Sequence, residues 1–513
     1  MASYKRANRN RLFIKIAVCL SAVFVLMGSV SAVAGGYRLS VDGDRLLLNG
    51  QAIKVIGLRC SNALISDSTT RQLIDNLDVF KSYGVNTVSV YFMGSRFGDV
   101  KGYRRDGSLD PVYAARMARI IEAADRRGMI VLVGCMYWSN SRAKEDLDAV
   151  WTQSDADKAV GNTIRWLSDN GYRNVFVDPD NEGMAHKSKG WSIASMIDAG
   201  HAVDPSILIA NNSKGTPPPN ADLYIHHSEK VPGRPWIQTE GSARGAPHGG
   251  YWGGYSKKEG YYNYINIGVY TDAMKKNQID DTDRDIHQFN GYMQASTWLQ
   301  CVAPYGPNMR PGGDGSKNNP GIRWWLEHVR DTFGGPWVPP APSTVGRWDR
   351  FEASVANSRH YADPFRDVSL DVVYTRPDGT QKTFWGFYDG NGRWRIRFMP
   401  DTLGTWRYTA RFSDGSRGVS GSFDCVASDI PGMISRDETN PVWMGFKGGK
   451  HVLVRSFHCG DRLFADTDNS ITGEKWSPEM RRAFLDWAGK QGYNMLSVAS
   501  HYLNRNVDGR GRG

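Results

Sequence analysis

The sequence predicts an α/β protein: a (β/α)8 TIM barrel, then a small Ig-like β-sandwich and the truncated start of a second β/α barrel. Three observations lead to this prediction. Runs of β-branched residues alternate with helical patterns from residue 53 to residue 333. A Pro-rich stretch at 336–346 predicts a linker, and short alternating strands separated by turn residues then fill 347–428. The 513 residues are enough for about three domains.

The first barrel, predicted over 36–335, rests on eight apolar runs that we interpret as its strands, at 53–58, 86–91, 129–133, 174–177, 207–210, 223–226, 236–239 and 293–299. Helical patterns lie between several of them. The best defined, 111–127, has Asp110 as N-cap, Pro111 in the first turn and Gly128 as its stop. Since no Gly-rich phosphate loop follows the first strand, a barrel is favoured over a doubly wound sheet.

The first 34 residues have the layout of a secretory signal peptide. A basic start precedes an apolar run at 16–27 and a small-residue cleavage site at Ala34. The alternative, a membrane anchor, is disfavoured because the run is about a dozen residues and a span needs about 20. We therefore expect an exported, soluble mature protein. Loss of the five cations in this segment would lower the formal net charge from +10 to +5.

The composition excludes a disordered chain, with 40% hydrophobic and 23% charged residues. After the signal, five cysteines remain without C-x-x-C spacing, which argues against a disulfide framework and a structural zinc site. Cys60 and Cys301 could pair if their strands are adjacent, but isolated buried thiols are the favoured interpretation. We expect no cofactor.

The last segment, 429–513, resembles the beginning of the first barrel. The stretch through Val454-Arg455 to Cys459 is similar to that through Leu58-Arg59 to Cys60, and 492–498 is similar to 84–90. Because two strands cannot close a barrel, we interpret 429–513 as an incomplete second barrel of a longer parent. The alternative is a compact βαβ cap on the sandwich.

Two glutamates follow strands of the predicted first barrel. Glu182 comes after the fourth strand and Glu240 after the seventh. Active sites of these barrels lie at the carboxyl ends of the strands. Glycoside hydrolysis needs two carboxyl groups across the scissile bond, one protonated and one ionised. The pair is therefore the candidate catalytic pair, with Asp178, Asp180 and above all Glu229 as rival carboxylates.

The Asn181-Glu182 pair, the strand-seven glutamate in PWIQTEGS, a histidine on strand six and Trp298 on strand eight together resemble the clan A retaining glycosidases, most nearly the cellulase-like family 5. The resemblance implies Glu182 as acid/base, Glu240 as nucleophile and Asn181 as donor to the sugar 2-hydroxyl. It also implies that His227 supports the side of the site where the nucleophile lies, and that the Trp298 ring forms the floor beneath the sugar in subsite −1. Core packing is an equal alternative for Trp298.

The chain also departs from this family. Ser89 stands where relatives commonly have an Arg, Cys135-Met136-Tyr137 where strand three commonly ends in a His, and Ser228 or Glu229 where a Tyr is usual. We expect Arg59 and Tyr137 to compensate, Arg59 by holding the nucleophile ionised and Tyr137 by donating to it.

Further substrate-binding candidates are aromatic. They are Trp138 after strand three and Trp252 in a long Tyr- and Gly-rich segment after Glu240, which we interpret as the wall and subsites for an extended glycan. A structural aromatic cluster is the alternative. His226 and His227 are possible metal ligands, but without a matching carboxylate–histidine spacing nearby we predict no metal.

The β-sandwich, with aromatic runs at 384–390 and 394–398, resembles the small domain that precedes the barrel in a group of bacterial proteins classed as glycosidases. Together the resemblances imply a secreted, monomeric, metal-independent retaining β-glycosidase acting on a polysaccharide or oligosaccharide. No basic stripe accompanies the aromatic segment, so we expect no nucleic-acid partner. The alternative function is a catalytically silent barrel that binds glycans.

Overall fold

The structure is a computed structural model that describes residues 36–94, 99–139, 142–241, 245, 261–287, 296–299, 310–333, 335–357, 359–390, 392–446, 451–459 and 478–498. The predicted signal peptide, Cys301 and Trp252 lie outside these residues. So do the rest of the aromatic segment up to residue 260 and the tail beyond 498.

A small antiparallel sheet precedes the barrel. Its strands are β1 (Leu39–Asp42), β2 (Arg45–Leu48) and β3 (Gln51–Ala52), in that order. Leu46 and Leu48 are fully buried in the barrel's core cluster, and the backbone N–H of Leu39 donates to the carbonyl of Arg173 just before the fourth barrel strand. The sheet therefore covers the end of the barrel opposite the strands' carboxyl ends.

Eight parallel strands form the TIM-like barrel sheet. They are β4 (Val55–Arg59), β5 (Thr87–Tyr91), β6 (Ile130–Met136), β7 (Val175–Asp180), β8 (Leu208–Asn211), β9 (Leu223–Ile225), β10 (Trp236–Ile237) and β11 (Ser296–Leu299). They neighbour one another in chain order, and β11 pairs with β4. Within the described ranges β10 and β11 are not paired, so the barrel is nearly closed. All eight predicted strands overlap observed ones.

Helices lie between these strands or, in the case of the last helix, follow them: α1 (Asp67–Ser82), α2 (Pro111–Asp125), α3 (Glu145–Asp148), α4 (Gln153–Asp169), α5 (Met184–Lys189), α6 (Ile193–His201), α7 (Tyr261–Asn266), α8 (Asp272–His287) and α9 (Arg323–Phe333). The side chain of Asp110 accepts the N–H of Val112 at 2.9 Å, as its N-cap position predicts. No helix in the described part of the chain is long and apolar enough to span a membrane.

Two facing sheets follow the barrel. One contains β12 (Thr344–Gly346), β14 (Leu370–Thr375), β15 (Gln381–Trp385), β18 (Gly404–Phe412) and β19 (Val419–Val426). The other contains β13 (Phe351–Ala356), β16 (Phe387–Tyr388) and β17 (Arg393–Phe398). They share one core that includes the fully buried Phe351, Tyr374 and Trp406. Strand β12 lies inside the segment predicted as linker.

The segment between barrel and sandwich packs against the barrel. The indole N–H of Trp337 donates to the carbonyl of Gly128 at 2.7 Å, and the Asn49 amide donates to the carbonyl of Ala341 at 2.8 Å. The four cysteines whose placement is described, Cys60, Cys135, Cys425 and Cys459, are buried free thiols.

The C-terminal segment has two small parts. The antiparallel sheet consists of β20 (Ile434–Arg436), β21 (Met444–Phe446) and β22 (His451–Val452). A βαβ unit then consists of β23 (Ser456–Cys459), α10 (Pro478–Lys490) and β24 (Met495–Val498), with its two strands parallel. Within the described residues the segment similar to the beginning of the first barrel thus forms one two-stranded βαβ unit.

Candidate active site

Polar side chains from six strand ends meet at the carboxyl end of the barrel. This is the end where parallel strands of such barrels present their following loops. The side chains are Arg59 on β4, Tyr91 on β5, Tyr137 after β6, Asn181 and Glu182 after β7, His226 and His227 after β9, and Glu240 after β10.

Glu240 is the buried centre of this group, with only 2% of its side chain exposed. Its Oε2 lies 2.7 Å from Nη1 of Arg59 and 2.8 Å from Nε2 of His226. Burial alone would raise the pKa of this carboxyl, but Arg59 and His226 outweigh burial and hold its pKa below the ordinary value. Glu240 is therefore an ionised carboxylate inside the barrel mouth.

Arg59 distributes its donors over three neighbours besides Glu240. Nη2 donates to the Tyr137 hydroxyl at 3.0 Å and to Oδ1 of Asn181 at 3.4 Å, and Nε donates to Ser61 at 3.3 Å. Burial disfavours the charged guanidinium, yet Glu240 reverses this and raises the pKa of Arg59 above its ordinary value. The planar guanidinium of Arg59 therefore fixes the positions of Glu240 and Asn181 relative to each other. Tyr137 thus joins this network as a partner of Arg59, and its donation to Glu240 stays a prediction.

Glu182 lies at the same mouth but in a more open position, with 20% of its side chain exposed. Its Oε2 is 3.3 Å from Nε2 of His227, and its Oε1 is 3.5 Å from the Asn181 amide nitrogen. Both Glu182 (φ 55°) and Gly183 (φ 61°) are left-handed, which turns the chain sharply from β7 into α5. A Cβ at Gly183 would meet Ser213 Oγ at 2.3 Å, so this turn requires glycine.

The adjacent His226 and His227 contact different glutamates. His226 has φ 44°, and this left-handed backbone breaks the alternation of side chains along β9, so that the two ring centroids lie 4.1 Å apart. His226 contacts Glu240, whereas His227, which the family resemblance assigned to the nucleophile's side, contacts Glu182. Burial would lower the pKa of His226, but Glu240 raises it above the ordinary value.

A buried network lies behind Asn181, and of its members the sequence indicated Asp178, as a rival carboxylate, but not Tyr91 or Asn212. The Tyr91 hydroxyl donates to Oδ2 of Asp178 at 2.8 Å and lies 3.0 Å from Oδ1 of Asn181. The Asn212 amide donates to the same Asp178 oxygen at 2.7 Å. Burial raises the pKa of Asp178 to about 6. The ring of Tyr91 occupies the space where a Cβ of Gly134 would lie, so glycine is required there.

The rival carboxylates have other surroundings. Asp180 accepts the backbone N–H groups of Ala185 and His186 at 2.9 and 2.8 Å at the start of α5, and burial raises its pKa to about 7. Glu229 is exposed. Asp178 is fully buried behind Asn181. Among the described carboxylates after β7 and β9–β10, Glu182 and Glu240 are thus those that the strand ends bring together.

The three tryptophans predicted to bind substrate are described to different extents. Trp138 is 3% exposed, packs against Trp151 and Trp191, and donates its indole N–H to Asp148 at 3.0 Å, so it presents little ring face to a ligand. The backbone of Trp298 lies in β11 opposite Gly57, while its side chain is outside the described part. Trp252 is also outside it.

Three potential metal ligands converge at this mouth. One ligand atom each from Glu182, His226 and His227 lie within 4.8 Å of one another. The carboxylate and the histidines come from separate strands, 44 residues apart at the nearest, which is why local spacing did not indicate them.

Comparison with known proteins gives the following similarities. Residues 344–413 match the family described as Domain of unknown function (DUF5060). A search of curated proteins found no match. Similar solved structures include glycoside hydrolases. A β-glucanase from Saccharophagus degradans, solved in complex with cellotetraose, is 13% identical, with 59% of this chain and 95% of that chain covered and a TM-score of 0.38.

Two further structures belong to glycoside hydrolase family 5. The one from Bacteroides vulgatus ATCC 8482 is 11% identical, covering 72% of this chain and 95% of that chain, with a TM-score of 0.38. A mannosidase from Rhizomucor miehei is also 11% identical, covering 59% of this chain and 98% of that chain, with a TM-score of 0.39.

Proposed function

We propose that this protein is a secreted retaining glycoside hydrolase that acts on a polysaccharide or oligosaccharide. The observation that carries the proposal is the unequal pair of carboxyl groups at one barrel mouth. Glu240 is buried between Arg59 and His226, and the more exposed Glu182 contacts His227 beside Asn181. Two carboxyl groups in different environments are what double displacement requires.

Glu240 is the proposed nucleophile. Arg59 and His226 hold its pKa low and fix its orientation, so a lone pair of the carboxylate can attack the anomeric carbon. The bond to the departing glycosidic oxygen breaks as the glycosyl-enzyme forms. A buried nucleophile also has little water to displace before the attack. We propose that Arg59 supplies this positive charge from β4 and so compensates for Ser89, which stands where the relatives commonly have an Arg.

Glu182 is the proposed acid/base. In the first step it would protonate the departing glycosidic oxygen, and in the second it would remove a proton from the attacking water. Its partial exposure suits this role because the leaving group departs and water enters on this side. Asn181, held by Arg59 and next to Glu182, is the proposed donor to the sugar 2-hydroxyl. Trp298 and Trp252 remain proposed substrate contacts.

The test measures reducing-sugar release by residues 35–513 on a broad panel of β-glycans, together with Glu182→Gln and Glu240→Gln. Each variant is expected to lose at least about 100-fold in kcat/KM. Glu229→Gln is the matched control, because it removes an exposed carboxylate near the same strand ends. Equal activity of Glu182→Gln and the parent would contradict the assignment.

Stereochemistry provides a second, independent readout. Proton NMR of the first-formed product should show the anomeric configuration of the substrate, as double displacement requires. With azide and an activated aryl glycoside, Glu182→Ala should give a glycosyl azide of retained configuration and Glu240→Ala one of inverted configuration. An inverted natural product would exclude Glu240 as nucleophile. Glycan binding without turnover by the parent would favour the silent binding barrel.

A further inference from the structure

We propose that Glu182, His226 and His227 form a binding site for one Zn²⁺-like divalent transition-metal ion, and that the bound ion reversibly blocks the active site. The binding part stands on geometry alone. The blocking part rests on the proposed glycosidase function, because it follows from the role assigned to Glu182.

The distances fit a tetrahedral ion. Zinc bonds to imidazole nitrogen and carboxylate oxygen are about 2.0–2.2 Å, so neighbouring ligand atoms in a tetrahedral site lie about 3.3–3.5 Å apart. His227 Nε2 and Glu182 Oε2 are 3.3 Å apart, which matches one edge of such a tetrahedron. The third ligand atom, from His226, completes a set within 4.8 Å. Since the two distances that involve His226 are at most 4.8 Å, a movement of its ring by no more than about 1.5 Å would bring them to the length of a tetrahedral edge.

The backbone builds this cluster at unusual positions. Glu182 and His226 are two of the four residues other than glycine with positive φ among those described. Their left-handed conformations point the Glu182 carboxylate and two successive imidazoles toward the same opening. Non-glycine residues adopt this conformation at a cost, and such positions concentrate at functional sites.

The donor set selects the class of ion. Two imidazoles and one carboxylate suit Zn²⁺, Co²⁺, Ni²⁺ and Cu²⁺, whereas Mg²⁺ and Ca²⁺ prefer oxygen ligands throughout. The three side chains are 15–22% exposed, so an ion can reach them from solvent. The nearby positive charge of Arg59 opposes binding, but it is paired with Glu240 at 2.7 Å.

A bound ion would prevent turnover for a chemical reason. The Glu182 oxygen that binds the metal cannot also carry the proton needed by the leaving group. The ion would also draw His226 from Glu240 and occupy the space of the scissile oxygen. Inhibition should therefore be reversed by a chelator and should be competitive with substrate.

The experiment titrates the tag-free chain, residues 35–513, with Zn²⁺ by calorimetry, in the absence of substrate. We expect one site per chain, with affinity lowered at least about tenfold in His227→Ala and in Glu182→Gln, since loss of even an outer partner of a metal ligand costs about 10–100-fold. His360→Ala, which removes an exposed histidine of the sandwich, is the matched control and should bind as the parent does. Co²⁺ should give the visible absorption bands of a tetrahedral site.

Several results would overturn the proposal. They are unchanged Zn²⁺ affinity in both ligand variants, or no binding at about 1 mM Zn²⁺. If circular dichroism shows that His227→Ala does not fold, the Zn²⁺ affinity of the isosteric variant Glu182→Gln decides whether the site exists. Since binding is measured without substrate, an inactive parent contradicts the proposed function and leaves this test intact. Zn²⁺ that binds here without slowing an active parent would overturn the blocking role.

Discussion

Two regions of this molecule have the same local construction. In the barrel, β4, α1 and β5 form a βαβ unit, and in the C-terminal segment β23, α10 and β24 form another. Asn86 accepts the N–H of Ile56 at 3.0 Å and donates to the carbonyl of Lys54 at 2.6 Å. Asn494 likewise accepts the N–H of Arg455 at 2.9 Å and donates to the carbonyl of Leu453 at 2.9 Å.

The strand register also agrees between the units. Leu58 is opposite Val88 in the first, and Phe457 is opposite Leu496 in the second. A left-handed glycine, Gly84 or Gly492, ends each helix two residues before the asparagine. This correspondence places His458 where the barrel has Arg59, whereas the sequence comparison had placed Arg455 there.

Burial distinguishes the two units. Every residue of β4 and β5 is buried, whereas β23 has one buried residue and the described side chains of β24 are exposed or half-buried. Among the described residues, none beyond position 337 belongs to the hydrophobic core cluster of the barrel. Capping, turns and register are thus set locally, while stability and a buried active-site charge depend on neighbouring strands.

The largest difference is expected at the corresponding positions Arg59 and His458. Arg59→Gln leaves the buried Glu240 carboxylate without its guanidinium partner and with His226 alone, so we expect an unfolding free energy lower by about 3–5 kcal/mol. We also expect kcat/KM to fall at least about 100-fold. His458 is exposed on β23, so His458→Gln should change the unfolding free energy by less than about 0.5 kcal/mol. Denaturant unfolding and kinetics of both variants test this, and equal losses would refute the comparison.

The next largest difference in stability is expected between truncation of Leu58 and truncation of Phe457, which occupy corresponding positions. Leu58→Ala removes a fully buried side chain of the barrel. It should lower the free energy of the main unfolding transition, that of the barrel, by about 2–5 kcal/mol. Phe457 packs on Phe484, Trp487 and Tyr493 within its own unit. Phe457→Ala should therefore speed hydrogen exchange in 478–498 and leave the main transition unmoved. A downward shift of the main transition in Phe457→Ala would show that the units are coupled.

The smallest expected difference concerns the asparagines. Asn86→Ala leaves a buried N–H and a carbonyl without their partner, at a cost of about 1–3 kcal/mol. Asn494 is exposed, so water can replace its amide and Asn494→Ala should change stability by less than about 0.5 kcal/mol. Thermal unfolding of both single variants and the double variant measures this, and the two effects should add.

The strands and helices of the barrel could be predicted because their signals are local. Helix α2 begins at Pro111 as predicted and ends at Asp125, two residues before the predicted end. Strand β7 extends to Asp180, beyond the predicted 177, because Asp178 and Asp180 continue the ladder with β6 as buried polar residues. Apolar periodicity does not identify such residues as strand.

The site was predictable only in outline. The ordinal positions of Glu182 and Glu240 indicated a pair, but which histidine contacts which glutamate depends on the left-handed φ of His226, which no residue pattern reveals. The network of Tyr91, Asp178 and Asn212 joins three strands, so no sequence spacing contains it. Polar residues at the end of otherwise apolar strands were the available signal, and Tyr91 and Asn212 carried it.

The contacts of Trp337 and Ala341 with the barrel have a consequence for modular rearrangement of the chain. A segment that is hydrogen-bonded to Gly128 and Asn49 cannot serve as a hinge, and it belongs to the barrel's floor as much as to the connection. A recombination boundary placed at 336 would strip the barrel of this cover, whereas one after Ala341 would keep it. Any chimaera that retains this barrel should therefore also retain 336–341, whichever module is joined behind it.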